Sequence, residues 1–320
     1  MIDFSYKAFI KENIFKRIVY LFISVSCIVL IFKYFTDLDV KKITVAFHEI
    51  NLFAFILSII TFCIAHYFSS RKYSLIANYV LNRSDLRVAY INYFSALFAN
   101  VVPFGPSADI CRIVMLNKKH KIDMIDALLI TLLDRSSTLI YITIIGLILL
   151  SIHFNISSDF KKFNILILFW GIMLLIVFII MFLPRVIFNK FKNKKIGKSK
   201  NLQKIIWGIC FNKKIIFLII LHTLFLSLSF TLCAQSVLGS DLNLNFILLS
   251  PLFQIIHSVP LFFSGWGIRE GVFLFLIPEK SFFITENKIF LISILVGLSV
   301  FISTLPSIFF LKRFNKLGVK

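Results

Sequence analysis

The sequence predicts an all-α polytopic membrane protein, and three observations carry that reading. Of 320 residues, 59% are hydrophobic, and the mean hydropathy of +0.92 lies far above that of soluble domains. The apolar runs are about 20 residues long and do not alternate, which suits membrane helices and not a membrane β-barrel. The formal charge of +20 is gathered between those runs, as expected for cytoplasmic loops facing anionic lipid. No basic stripe with interleaved aromatics lies on a soluble face, so nucleic acid is not an expected partner.

Taken in order, the chain reads as about eight hydrophobic segments. Full spans are expected at 18–35, 50–69, 127–152, 163–183, 215–238 and 289–311. Lys7 to Arg17 followed by an apolar run resembles a signal peptide, but small residues for cleavage are missing, and 18–35 reads as a retained span. Two further segments are broken. The run 88–102 stops at Pro103, Gly105 and Pro106, and a shorter piece at 108–116 carries Asp109 and Arg112. The region 246–278 is interrupted by Pro260, Gly265, Gly267 and Gly271, with Arg269 and Glu270 side by side. Proline and glycine at membrane depth call for cover by protein or a wet cavity.

Loop charges set the sides. Residues 185–214 hold ten Lys/Arg and no acid. A single crossing in 88–118 would put that loop outside; a hairpin that enters and leaves on the cytoplasmic face puts it inside. The same parity at 246–288 keeps the basic C-terminus inside. The expected topology therefore has six full spans, both termini cytoplasmic, and two re-entrant hairpins dipping in from opposite faces. That order suggests an inverted repeat, which in transporters brackets a substrate site near mid-membrane. The whole chain, 1–320, reads as one membrane domain without a soluble domain. Residues 185–214 read as a basic cytoplasmic loop with an amphipathic piece around 202–211.

Charges inside apolar sequence are the candidate functional groups. Asp109 and Arg112 share a helix face at i and i+3, on a helix expected to start near Ser107 as N-cap. A helix N-terminus with an arginine suits a phosphate; a structural ion pair is the alternative. Asp134 and Arg135 are chain neighbours and diverge by about 100° on a helix, so each needs a partner elsewhere. Arg135 is offered Glu270 or Asp109, and Asp134 is offered Arg269 or Arg112; alternatively both snorkel to the headgroups. Arg269 is the leading phosphate ligand, with Glu270 beside it. His222 and His257 read as buried neutral histidines with one hydrogen bond, and Gln235 and Gln254 as interhelical hydrogen-bonding groups. The five cysteines have no metal or disulfide spacing. No catalytic motif, metal set or cofactor fingerprint stands out.

Three motifs together resemble a known family. Pro103-Phe104-Gly105 with Asp109-x-x-Arg112, the Asp134-Arg135 pair, and Pro260 with Ser264-Gly265-Trp266-Gly267-Ile268-Arg269-Glu270-Gly271 are similar to the flippase-like membrane domain of bacterial lysylphosphatidylglycerol synthases. The resemblance covers roughly residues 10–312. The chain departs from the family at Pro106, Ser107 and Ala108, where glycine is more usual. The resemblance implies a stand-alone bacterial inner-membrane protein that translocates lipid. It does not imply lysine transfer, since the soluble aminoacyl-transferase domain is not expected here. An anionic phospholipid or a polyprenyl-phosphate-linked saccharide is the expected substrate, with Arg112, Arg135 and Arg269 on the phosphate and Asp109, Asp134 and Glu270 supporting them. The alternative is a non-transporting partner of a glycosyltransferase or lipid-modifying enzyme. A second copy of the chain or an envelope-biosynthesis enzyme is the expected protein partner.

Overall fold

In the computed structural model, the described residues are 47–81, 93–94, 96–97, 107–156, 170–176, 179, 202–239, 250–251, 253–255 and 286–307. Six helices are delimited: α1 (Leu52–Leu81), α2 (Ser107–His120), α3 (Met124–Ile156), α4 (Leu202–Cys210), α5 (Lys213–Leu238) and α6 (Glu286–Thr304). Shorter described stretches near 93–97, 170–179 and 250–255 are also helical. Among the described residues there is no strand. Four helices, α1, α3, α5 and α6, are long and apolar enough to cross a membrane. The chain is thus an all-helical, multi-pass membrane protein. The expected span at 18–35 lies outside the described residues, and so does the second hairpin expected within 246–278, apart from 250–251 and 253–255.

The centre of the bundle is a three-helix seam. Asn51 caps α1 by accepting the Ala54 N–H at 3.2 Å, and its own N–H reaches the Ser236 carbonyl near the end of α5 at 2.8 Å. Further along, Ser229 Oγ donates to the Ser58 carbonyl (2.8 Å), and His222 Nδ1 to the Ala65 carbonyl (3.0 Å). The contacts advance by seven residues along α1 while retreating by seven along α5. That is an antiparallel pair with coiled-coil spacing. Small residues let the backbones approach: Ser58 Oγ sits 3.0 Å from Ser299 Oγ of α6 and 3.2 Å from Cys233 Sγ of α5. His66 Nε2 meets Ser303 Oγ at 3.3 Å, so α6 runs parallel to α1. Interhelical bonds in bilayers contribute only about 0.6 kcal/mol each on average. Here they fix register, while close packing around Phe62, Ile219, Phe230 and Val296 supplies the bulk of the attraction.

These directions match the ones the loop charges require. α5 ends and α6 begins at the same end of the bundle, the end where α1 starts. At the opposite end a buried apolar cluster gathers Tyr73, Ile76 and Val80 of α1, Leu116 of α2, Ile130 and Leu133 of α3, and Ile205, Ile206 and Ile209 of α4. α4 is the amphipathic piece expected near 202–211. It does more than ride on the lipid surface: one face enters the core, and Tyr141 of α3 donates to the Cys210 carbonyl. Its other face exposes Trp207 and Phe211, stacked at 5.3 Å. Phe53, Ile56, Phe217 and Leu224 are also exposed, as lipid-facing side chains of spans should be.

Two sequence expectations change. The span expected at 50–69 runs on through Arg71 and Lys72 to Leu81. Arg71 stays exposed, with its guanidinium over the Tyr67 ring, whereas Lys72 is buried. Gln235 is exposed and Gln254 is the glutamine that bridges helices, donating to Thr223 O and Ser227 Oγ of α5.

Candidate functional site

α2 starts at Ser107, just after Pro106, a residue without an N–H and suited to the start of a helix. Asp109 in its first turn favours the helix dipole. At the other end Lys121 adopts φ 53, and the Ile122 N–H returns to the Leu116 carbonyl at 3.3 Å. This left-handed cap turns the chain sharply into α3. The arms of the resulting helical hairpin are matched: Asp109 lies eleven residues before His120, and Arg135 eleven residues after Met124. At an equal rise per residue, that puts the carboxylate and the guanidinium at one level.

They meet there. Arg135 Nε donates to Asp109 Oδ2 and Nη2 to Oδ1, both at 3.1 Å, a bidentate pair. Arg112 Nη1 donates to the same Oδ1 at 3.0 Å. One carboxylate therefore holds two guanidiniums. The two differ in exposure: the Arg112 side chain is 2% exposed and that of Arg135 is 41% exposed. Arg112 is packed against aromatic rings, 4.2 Å from the Tyr93 centroid and 5.7 Å from that of Tyr73. Tyr93 is anchored in turn by its hydroxyl on Ser69 Oγ of α1 (2.7 Å). Ring faces attract the buried cation by about 0.5–2 kcal/mol each.

Asp134 has a partner that sequence reasoning missed. Lys72 Nζ sits 3.0 Å from Asp134 Oδ1, with side chains 2% and 4% exposed. The ammonium also donates to the Asp134 carbonyl (3.2 Å) and to Thr138 Oγ1. Lys72 falls just beyond the span expected at 50–69. The missed signal is the apolar run that follows, Leu75 to Leu81. Asp134 is therefore paired, not snorkelling. Of the partners offered to Arg135, Asp109 is bound to it, and Glu270 lies outside the described residues.

Five ionised groups thus converge where α1, α2 and α3 meet: Lys72, Arg112 and Arg135 against Asp109 and Asp134. Arg269, Glu270, Pro260, Gly265, Gly267, Gly271, Pro103 and Gly105 lie outside the described residues. His222 bonds to a backbone carbonyl, as expected, but is half-buried where full burial was expected; His257 lies outside the described residues. Among the described residues no group of His, Cys, Asp and Glu is arranged to hold a metal ion.

The family model described as the lysylphosphatidylglycerol synthase TM region matches residues 17–307. The chain belongs to this family. No curated protein and no solved structure matches the chain. The lysylphosphatidylglycerol synthase TM region is the membrane part of those enzymes, so membership gives this chain a lipid-related function in a membrane. The charges at the α2–α3 hairpin lie within the matched region.

Proposed function

We propose that this member of the family translocates an anionic lipid headgroup, that of a phospholipid or a polyprenyl-phosphate-linked saccharide, across the bacterial cytoplasmic membrane. The observation that carries the reading is the Asp109 carboxylate shared by a buried and a half-exposed arginine. A phosphate meets Arg135 from its open side and takes over part of the bidentate pairing, while Asp109 stays balanced by Arg112. Cation–π packing holds Arg112 in place, so the exchange leaves no carboxylate stranded. Planar guanidinium suits phosphate oxygens better than ammonium does. Arg269 and Glu270 are proposed as the opposing half of the site. Rocking of one half of the bundle on the other moves the headgroup while its tail stays in lipid.

The test is a proteoliposome assay in which a fluorescent phosphatidylglycerol is quenched only in the outer leaflet. Wild type should expose inner-leaflet lipid faster than empty vesicles. Arg135→Ala and Arg269→Ala should lose at least about ten-fold in rate, the order of one charge-assisted hydrogen bond or more. Lys118→Ala, at an exposed position near the end of α2, should not. Equal rates in wild type and Arg135→Ala would count against the site.

A further inference from the structure

The Lys72–Asp134 pair is unused in the reading above. It joins two candidate spans, and both side chains are almost fully buried. Such a pair is a weak source of stability, since an apolar pair of similar size holds helices together as well or better. α1 is moreover already tied to α5 and α6 by its serine seam. Inside membranes, paired carboxylates and amines of this kind commonly serve proton transfer.

The geometry says which partner accepts a proton. Lys72 Nζ donates to the Asp134 carbonyl and to Thr138 Oγ1 and is ion-paired with Asp134 Oδ1, which accepts no hydrogen bond among the described residues. The open lone pairs are on the Asp134 carboxylate, so an added proton goes there. The charged and titratable groups around the pair are Tyr73 on α1, Asp109 and Arg112 on α2, Arg135 on α3, and Tyr93. Arg112 and Arg135 act electrostatically on Lys72 alongside Asp134. α4 carries Lys204 and Cys210, and α5 carries Lys213, Lys214 and His222; the register that sets His222 on Ala65 sets residue 215, next to Lys214, at the level of Lys72. The acid and lysine of α6, Glu286 and Lys288, lie at its start, the opposite end of the bundle.

We propose that Lys72 and Asp134 form a proton-binding site coupled to anion binding at Arg135. One proton from the aqueous phase joins the Asp134 carboxylate as an anionic headgroup engages Arg135, and it leaves with the headgroup. The pair passes from net zero to +1 and offsets the incoming negative charge. A unit charge roughly 10 Å away in a partly buried setting raises proton affinity about ten-fold, and by linkage the proton raises anion affinity equally. This rests on the anionic-headgroup reading and adds a source of drive: a pH gradient.

The full chain in neutral detergent, weakly buffered with an indicator dye, is titrated with short-chain phosphatidylglycerol and, separately, short-chain phosphatidylcholine. Lipid bound is followed by calorimetry. Wild type should take up protons with phosphatidylglycerol alone, at most about half a proton per lipid bound, the ceiling that a ten-fold rise in proton affinity sets. The ratio should fall to near zero in Asp134→Asn and in the charge-free pair Lys72→Met/Asp134→Leu, which strands no ion. Phosphatidylglycerol binding without proton uptake in wild type, or undiminished uptake per lipid in Asp134→Asn, overturns the proposal. Coupled uptake without translocation of the same lipid would overturn the transport reading and leave the proton site standing. Absence of binding would sink both.

Discussion

Asp109 is the residue on which the cluster turns. Its two oxygens accept three charge-assisted hydrogen bonds from Arg112 and Arg135. Removing a shared partner leaves a buried guanidinium uncompensated, and such losses run to about 3–5 kcal/mol. Asp109→Ala should therefore lower the melting temperature of the detergent-solubilised protein far more than Arg135→Ala. The latter removes a half-exposed cation and leaves Asp109 balanced by Arg112; about 1 kcal/mol is expected. Comparable losses for both would mean that Arg112 does not depend on Asp109. At this scale the sequence singled out Asp109, Arg112, Asp134 and Arg135 but not Lys72, and not all the pairs. Asp109 with Arg112 follows from i,i+3 spacing. Lys72 with Asp134 does not, because their contact depends on how α1 lies against α3.

At the scale of elements, helix starts are easier to read than helix ends. Pro103, Gly105 and Pro106 leave α2 nowhere to begin but near Ser107, and α2 begins there. α1 runs past the expected end at 69 through a buried lysine, a rare residue inside a span. The cost of Lys72 is offset by an ion pair and two acceptors that only the folded bundle supplies. The α2–α3 turn carries its own strain, since Lys121 is not glycine yet adopts φ 53. Lys121→Gly should gain up to about 1 kcal/mol in thermal unfolding, by relief of the left-handed penalty. A loss would mean that the Lys121 side chain contributes more than the strain costs. Where α3 passes Trp170, Gly146 is required: a Cβ there would overlap the indole, which packs with Ile142 and Ile255. Gly146→Val should displace Trp170, shift its fluorescence to the red and cost about 1–3 kcal/mol. An unshifted spectrum would contradict that packing.

For the whole molecule, loop charge was a sound guide to the relative directions of α1, α5 and α6, because positive loops resist translocation wherever they fall in the chain. Register was not legible, since serines and a cysteine at Ser58, Ser229, Cys233 and Ser299 look like any small residues until two backbones approach. The seam is testable with one substitution. Ser58 Oγ lies 3.2 Å from Cys233 Sγ, so Ser58→Cys should oxidise onto Cys233 under copper phenanthroline. Trypsin cleavage in the Lys/Arg-rich 185–214 segment should then release separate fragments only after reduction. Free fragments without reductant would contradict the antiparallel register of α1 and α5.

The central claim is that the arginine–aspartate cluster handles a negatively charged headgroup. It is tested most directly by the ratio of phosphatidylglycerol to phosphatidylcholine translocation in the same proteoliposomes. Wild type should favour the anionic lipid, and Arg135→Gln should bring the ratio towards one. A wild-type ratio of one, or a preference that survives Arg135→Gln unchanged, would contradict the account.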